Sequence, residues 1–324
     1  RRAQGRVENL VDANGVNRVD AMRGDVTASI TDLRTERLVN LVDESQRALA
    51  AEALRGPIDL HITKSGTLTG GDATATVKSP VLDARLLAAI TAEALTLTLP
   101  SATVTVTPEL VAAAQSGGES PIALVSAQPV TIAAAPVTIP RDRLSPLNLD
   151  GVTVKADVTA PALELDGVPG TSARLALTTL DLDATATIGG RTAAKGNVVA
   201  ATGGAPIATI TFDGALGEGE SAPLEATVVA SSLRVAGLET LLGREAGSLT
   251  DLVGEGGDLR LEASRSAEGT MIVHATPALD RLKGRIDATV TDALYTLDTT
   301  DLRTTIRPAL IERWLNEPAA TPPA

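Results

Sequence analysis

The chain has 324 residues, 44% of them apolar and nearly all of those Ala, Val, Leu or Ile, with one Phe, one Tyr, one Trp, no cysteine and a formal net charge of −12. That length suffices for one large or two ordinary domains with real cores, while the lack of aromatic rings excludes base-stacking platforms and the aromatic girdles of a transmembrane barrel. The acidic balance argues against nucleic acid and against electrostatic docking on anionic membrane headgroups, and the missing cysteines exclude disulfides, thiolate zinc sites and a cysteine nucleophile.

Residues 1–19 read as a lead-in. The first residue is Arg and no signal peptide is visible, so a fragment or processed chain is expected, with any anchor lying outside it. "RTERLVNLVDESQRALAAEAL" (34–54) places Leu38, Leu41, Val42, Leu49 and Leu54 at near-helical spacing. "SGTLTGGD" (65–72) is a turn between strands. "ALTLTLP" (94–100) alternates, with Leu95, Leu97 and Leu99 on one face and Thr96 and Thr98 on the other. "TVTVTPELVAAA" (103–114) is a strand bearing Val104 and Val106, then a short helix that opens on Pro108, where the missing N–H is not needed.

The most apolar stretch, "IALVSAQPVTIAAAPVTI" (122–139), contains Gln128, Pro129 and Pro136. It suits short strands better than a membrane span. "GVTVKADVTA" (151–160), "LDLDATATI" (180–188) and "PIATITF" (206–212) alternate again. In the second of these Leu180, Leu182, Ala184, Ala186 and Ile188 share one face, opposite Asp181, Asp183, Thr185 and Thr187. A period of two with one wet face predicts half-buried, mostly antiparallel strands. "TIGGRT" (187–192) and "ATGGAP" (201–206) are turns. "VAGLETLLGREAGSLTDLVG" (235–254) is helical in pattern, "RPALIERWLN" (307–316) is a second helix opening on proline, and "EPAATPPA" (317–324) is a Pro/Ala tail.

Several segments recur about two hundred residues apart. Leu33-Arg34 meets Leu233-Arg234, Leu38 meets Leu238, and Leu41 meets Leu241. Asp59-Leu60 matches Asp258-Leu259, "SPVLD" (79–83) matches "TPALD" (276–280), and "AEALTL" (92–97) matches "TDALYTL" (291–297). The strand-proline-helix pattern closes both series. Residues 20–115 and 220–316 therefore read as two copies of one unit, with 116–219 as a strand-rich sheet between them. Repetition of this kind points to stacked architectures whose units cover one another's edges.

Chemistry is sparse. His61 and His274 have no second His or Cys at metal spacing, and a satisfied or surface role is expected for both. Carboxylates are plentiful, but no pair stands out for acid–base work. No G-x-S-x-G elbow or phosphate-binding P-loop occurs, and "VGEGGD" (253–258) precedes a strand. Neither an enzyme, a metal site nor a cofactor is expected.

The apolar faces remain. Leu95, Leu97, Leu99, Val104, Val106, Leu180, Leu182, Ala184 and Ile188 line either a closed sandwich core or an open trough for acyl chains, and alternation fits both. Their small aliphatic side chains suit lipid tails, and an open apolar face of that size would need a ligand in water.

"SSLRVAGLETLLG…GDLRLEASRSAEGTMIVHATPALDRLKGRIDATV" (231–290) resembles the AsmA-like envelope proteins, "LKGRIDATV" (282–290) most closely, and "ATVKSPVLDARLLAA" (75–89) is similar. The resemblance implies a long, curved antiparallel β-sheet with an apolar groove and a few short helices. It further implies a periplasmic place in the cell envelope, an inner-membrane anchor, and phospholipid transport between membranes, with phospholipid acyl chains as partners and no catalytic residues. The competing expectation is a non-enzymatic surface scaffold with closed cores.

Overall fold

The computed structural model describes residues 2–8, 23–33, 39, 47–67, 70–114, 122–146, 148–217, 223–266, 269–291 and 295–305. They fall into two bodies: Arg1–Leu163 with Leu180–Ala193, and Glu164–Thr179 with Ala194–Ala324. The architecture is mainly β and antiparallel with a few short helices, as the two-residue alternation predicts.

In the first body lie β1 (Arg2–Glu8), β2 (Arg23–Leu33), β3 (Ile58–Ser65), β4 (Gly71–Lys78), β5 (Leu82–Ile90), β6 (Ala94–Val106), β7 (Ala123–Leu124) and β8 (Gln128–Pro140). Most of β9 (Thr153–Asp166) and the later part of β10 (Leu175–Thr187) belong there too. Strands β1 to β6 form an antiparallel meander, β6 pairs with β8, and β8 with β9. Helix α1 (Arg47–Ala53) packs on α2 (Pro108–Ala114). The second body holds most of β11 (Thr192–Thr202), then β12 (Ala205–Leu216), β13 (Leu224–Arg234), β14 (Gly256–Arg265), β15 (Met271–Leu279), β16 (Leu282–Val290) and β17 (Tyr295–Thr304). Strands β12 to β17 form a second antiparallel meander. Between β13 and β14 come α3 (Val235–Leu241) and α4 (Thr250–Val253).

Pairing registers fix the faces, because directly opposed residues project to the same side of a sheet. In the first body Ile30–Leu60–Val77–Ala84–Ala102–Ile132–Val158 is one continuous apolar rung, and Ser29–His61–Thr76–Arg85–Ser101 is a polar rung on the opposite face. In the second body Phe212–Val228–Leu261–Ala275–Ile286 is apolar, and Thr227–Glu262–His274–Asp287 is polar.

A phase problem in β6 has a structural solution. Leu95 and Leu97 are odd-numbered, Val104 and Val106 even, so an unbroken strand would send the two sets to opposite faces. The register with β5 shifts between Arg85 and Leu87. Leu97 then opposes Ala88 and Val104 opposes Leu82, and both sets reach the apolar side. Strand β17 does the same. Its register shifts between Asp287 and Ala288, so Leu297 opposes Ala288 and Leu302 opposes Gly284.

The two meanders share these irregularities. Leu82 opposes Val104, and two hundred residues later Leu282 opposes Thr304. Lys78 opposes Asp83, and Ala278 opposes Lys283. Strand β2 bulges against β3 between Ile30 and Leu33, and β13 bulges against β14 between Ala230 and Leu233. Asp32 and Ser232 within these bulges both adopt φ 55°.

Three sequence expectations change in detail. The helical pattern over 235–254 is two short helices, because Gly243 (φ 62°) and Gly247 (φ 89°) turn the chain between them. "SPVLD" and "TPALD" are not in equivalent places: Pro80 lies in the β4–β5 turn, whereas Pro277 is inside β15 opposite Leu259. Over 122–139 the chain forms the two-residue β7 and then one long strand, β8. Helix α2 opens on Pro108 as expected, with Thr107 Oγ1 accepting the Leu110 N–H at 3.1 Å. Its counterpart at 307–316, the tail, and most of 1–19 and 34–46 lie outside the described residues.

Candidate functional site

The nine candidate lining residues come from β6, β10 and the turn after β10, all within the first body. Leu95, Leu97 and Val104 lie on the apolar side, opposite Ile139, Val137 and Val130 of β8. Leu99 sits between two register shifts opposite Ala134, and Val106 opposes Gln128. Ile188 N donates to Val152 O at 3.0 Å, and Thr187 Oγ1 lies 3.1 Å from Thr153 Oγ1 on the polar side. Strand alternation then carries Leu180, Leu182 and Ala184 to the same side as Ile188.

None of the nine is buried: Leu95, Leu97, Leu99, Val104, Val106, Leu180, Leu182 and Ala184 are half-buried, and Ile188 is 41% exposed. A sandwich core between two facing sheets would seal such residues.

The second body has its core at the end bearing α3. Ile207, Ala208, Leu233, Leu241 and Leu279 form a buried cluster there, with Leu175, Ile210, Ala230, Val253 and Leu282 packed around it. On the same apolar face Leu216 and Leu297 are exposed toward the hairpin end, at 42% and 64%, Leu261 in mid-strand at 38%, and Leu302 beside Leu282 at 38%. In the first body Ile58, Val81, Ala102, Leu124 and Val130 are buried toward the end that carries α2, and at the other end Val26 is exposed in β2 while Ile139 of β8 and Val152 are buried.

Each apolar face carries a cation near its hairpin end. Lys64 opposes Val26 and Ala73, and its Nζ donates to the carbonyls of Thr67 at 2.5 Å and Gly70 at 3.3 Å. Arg265 opposes Leu224 and Met271. Sequence reading missed both, although the signal was present: each ends an alternating run at a position where an apolar residue is due.

The polar faces hold the titratable groups. His61 Nδ1 meets Ser29 Oγ at 2.8 Å. His274 Nδ1 lies 2.5 Å from Asp287 Oδ1, which also accepts from Arg285 Nε at 2.6 Å. The Arg285 hydrogen bond, followed by that of His274, holds the Asp287 carboxyl below its usual range against a small opposing effect of burial. Arg260 Nε donates to Glu262 Oε1 at 2.8 Å. These are cross-strand and i,i+2 hydrogen bonds on the polar sheet face, and both histidines have the satisfied role that the sequence predicts. A polar depression of about 260 Å³ near the β2–β4 hairpin end is lined by Asp25, Thr27, Thr63, Lys64, Asp72 and Thr74. Among the described residues no His, Asp and Glu side chains are grouped to hold a metal ion, and no helix is long and apolar enough to cross a membrane.

Among the described carboxylates Glu239 alone is buried, at 3% exposed. Its Oε2 accepts from Gly247 N at 2.9 Å, and its Oε1 from Leu249 N and Thr250 N, both at 2.7 Å. Burial pushes its pKa up, but the three amides outweigh burial and leave it below the usual carboxylate range. It pins the α3–α4 connection beside the buried cluster. No family model, curated protein or solved structure matches the chain.

Proposed function

We propose that this chain is a lipid-handling β-scaffold of the cell envelope, built on a duplicated unit, in which a curved apolar sheet face shields acyl chains as phospholipid moves between membranes. The observation that supports this reading is that none of the nine candidate lining residues is buried. An exposed apolar surface of this kind calls for a partner, and burying a tail there gains about 0.8 kcal/mol per methylene. The duplication is supported by the matching registers and paired bulges of the two meanders. The envelope location rests on the likeness of 231–290 to AsmA-like proteins.

The test is gentle purification followed by organic extraction and mass spectrometry. Stoichiometric phospholipid is expected from the native chain. It should be lost from a Leu97→Asp/Leu182→Asp variant whose circular dichroism is unchanged. A folded protein that carries no lipid and takes up none when offered would instead indicate a closed-core scaffold, as would unfolding of the double variant.

A further inference from the structure

We draw no further inference here: the strongest candidate, the apolar sheet face of the second body on which Leu216, Leu261, Leu297 and Leu302 are exposed, belongs to the lipid reading already given, and nothing in the structure shows what covers it.

Discussion

Asp258 Oδ1 accepts the backbone N–H of Ser232 at 3.0 Å, across the bulge where β13 stops being a strand and becomes α3. Asp59 accepts the N–H of Asp32 at the same distance at the β2–β3 bulge. A bulge leaves one residue out of the ladder, and here a carboxylate on the neighbouring strand takes up the orphaned N–H. Asp258→Ala should cost about 1 kcal/mol, and Asp59→Ala a similar amount. Ser232→Gly should stabilise the chain by up to ~1 kcal/mol, since φ 55° disfavours a side chain. Urea unfolding of the three variants checks the signs. A neutral Asp258→Ala would show that the bulge holds without its carboxylate.

Gly284 adopts φ 142°, and a Cβ there would fall 1.8 Å from the carbonyl oxygen of Asp301. Backbone atoms cannot step aside as a flexible side chain does. Gly284→Ala should therefore cost more than about 2 kcal/mol and detach β17 first. Amide exchange over 296–304 should accelerate before exchange in β13 or β14. Uniform acceleration across the second body would mean that β17 opens only together with the strands before it.

Much of this was legible in the sequence, for identifiable reasons. The Leu/Thr alternation of 94–100 and 180–188 follows directly from the pleat, and Pro108 announces α2. The bulges were not legible. Nothing in "LTLTLPSATVTV" says where the register slips, yet the slip alone brings Leu97 and Val104 to one face. Gly243 and Gly247 could have split the 235–254 helix, but leucine spacing outweighed them. The match of "SPVLD" with "TPALD" failed because local identity competed with pairing register, and register wins. The Glu262–His274–Asp287 rung joins residues from three strands, a proximity that pairing creates and spacing in the chain conceals.

Glu239 should give the second body an acid-sensitive contribution. Its folded pKa lies below the unfolded value, so its stabilisation is fully present above the usual carboxylate range and fades as pH falls through the lowered folded value. Glu239→Gln replaces an acceptor of three amide bonds with a group that offers one acceptor oxygen and an unwanted donor. Hydrogen bonds to a buried charge contribute about 1.5–3 kcal/mol. The variant should lose an amount of that order at neutral pH, with a flatter profile in acid. Urea unfolding of both proteins between neutral and strongly acidic pH measures this. Parallel profiles would assign the acid sensitivity to other carboxylates such as Asp287.

A pair of substitutions on one face separates the exposed surface from the buried cluster. Leu261 is 38% exposed and Leu279 is 8% exposed, both on the apolar side of the second body. An aspartate at a water-accessible position keeps its hydration, so Leu261→Asp should cost under about 1 kcal/mol. Leu279→Asp would force a carboxylate among Ile207, Leu233 and Leu241 and should cost several kcal/mol, on the order of 4 or more. Leu86→Asp, on the corresponding face of the first body at 36% exposed, should behave like Leu261→Asp. Thermal melts of the three variants decide. If Leu261→Asp and Leu86→Asp unfold the chain as Leu279→Asp does, the apolar faces are sealed in solution and no surface is left for an acyl chain. If they fold and shed bound lipid, the same side chains that cost the fold nothing form the binding surface.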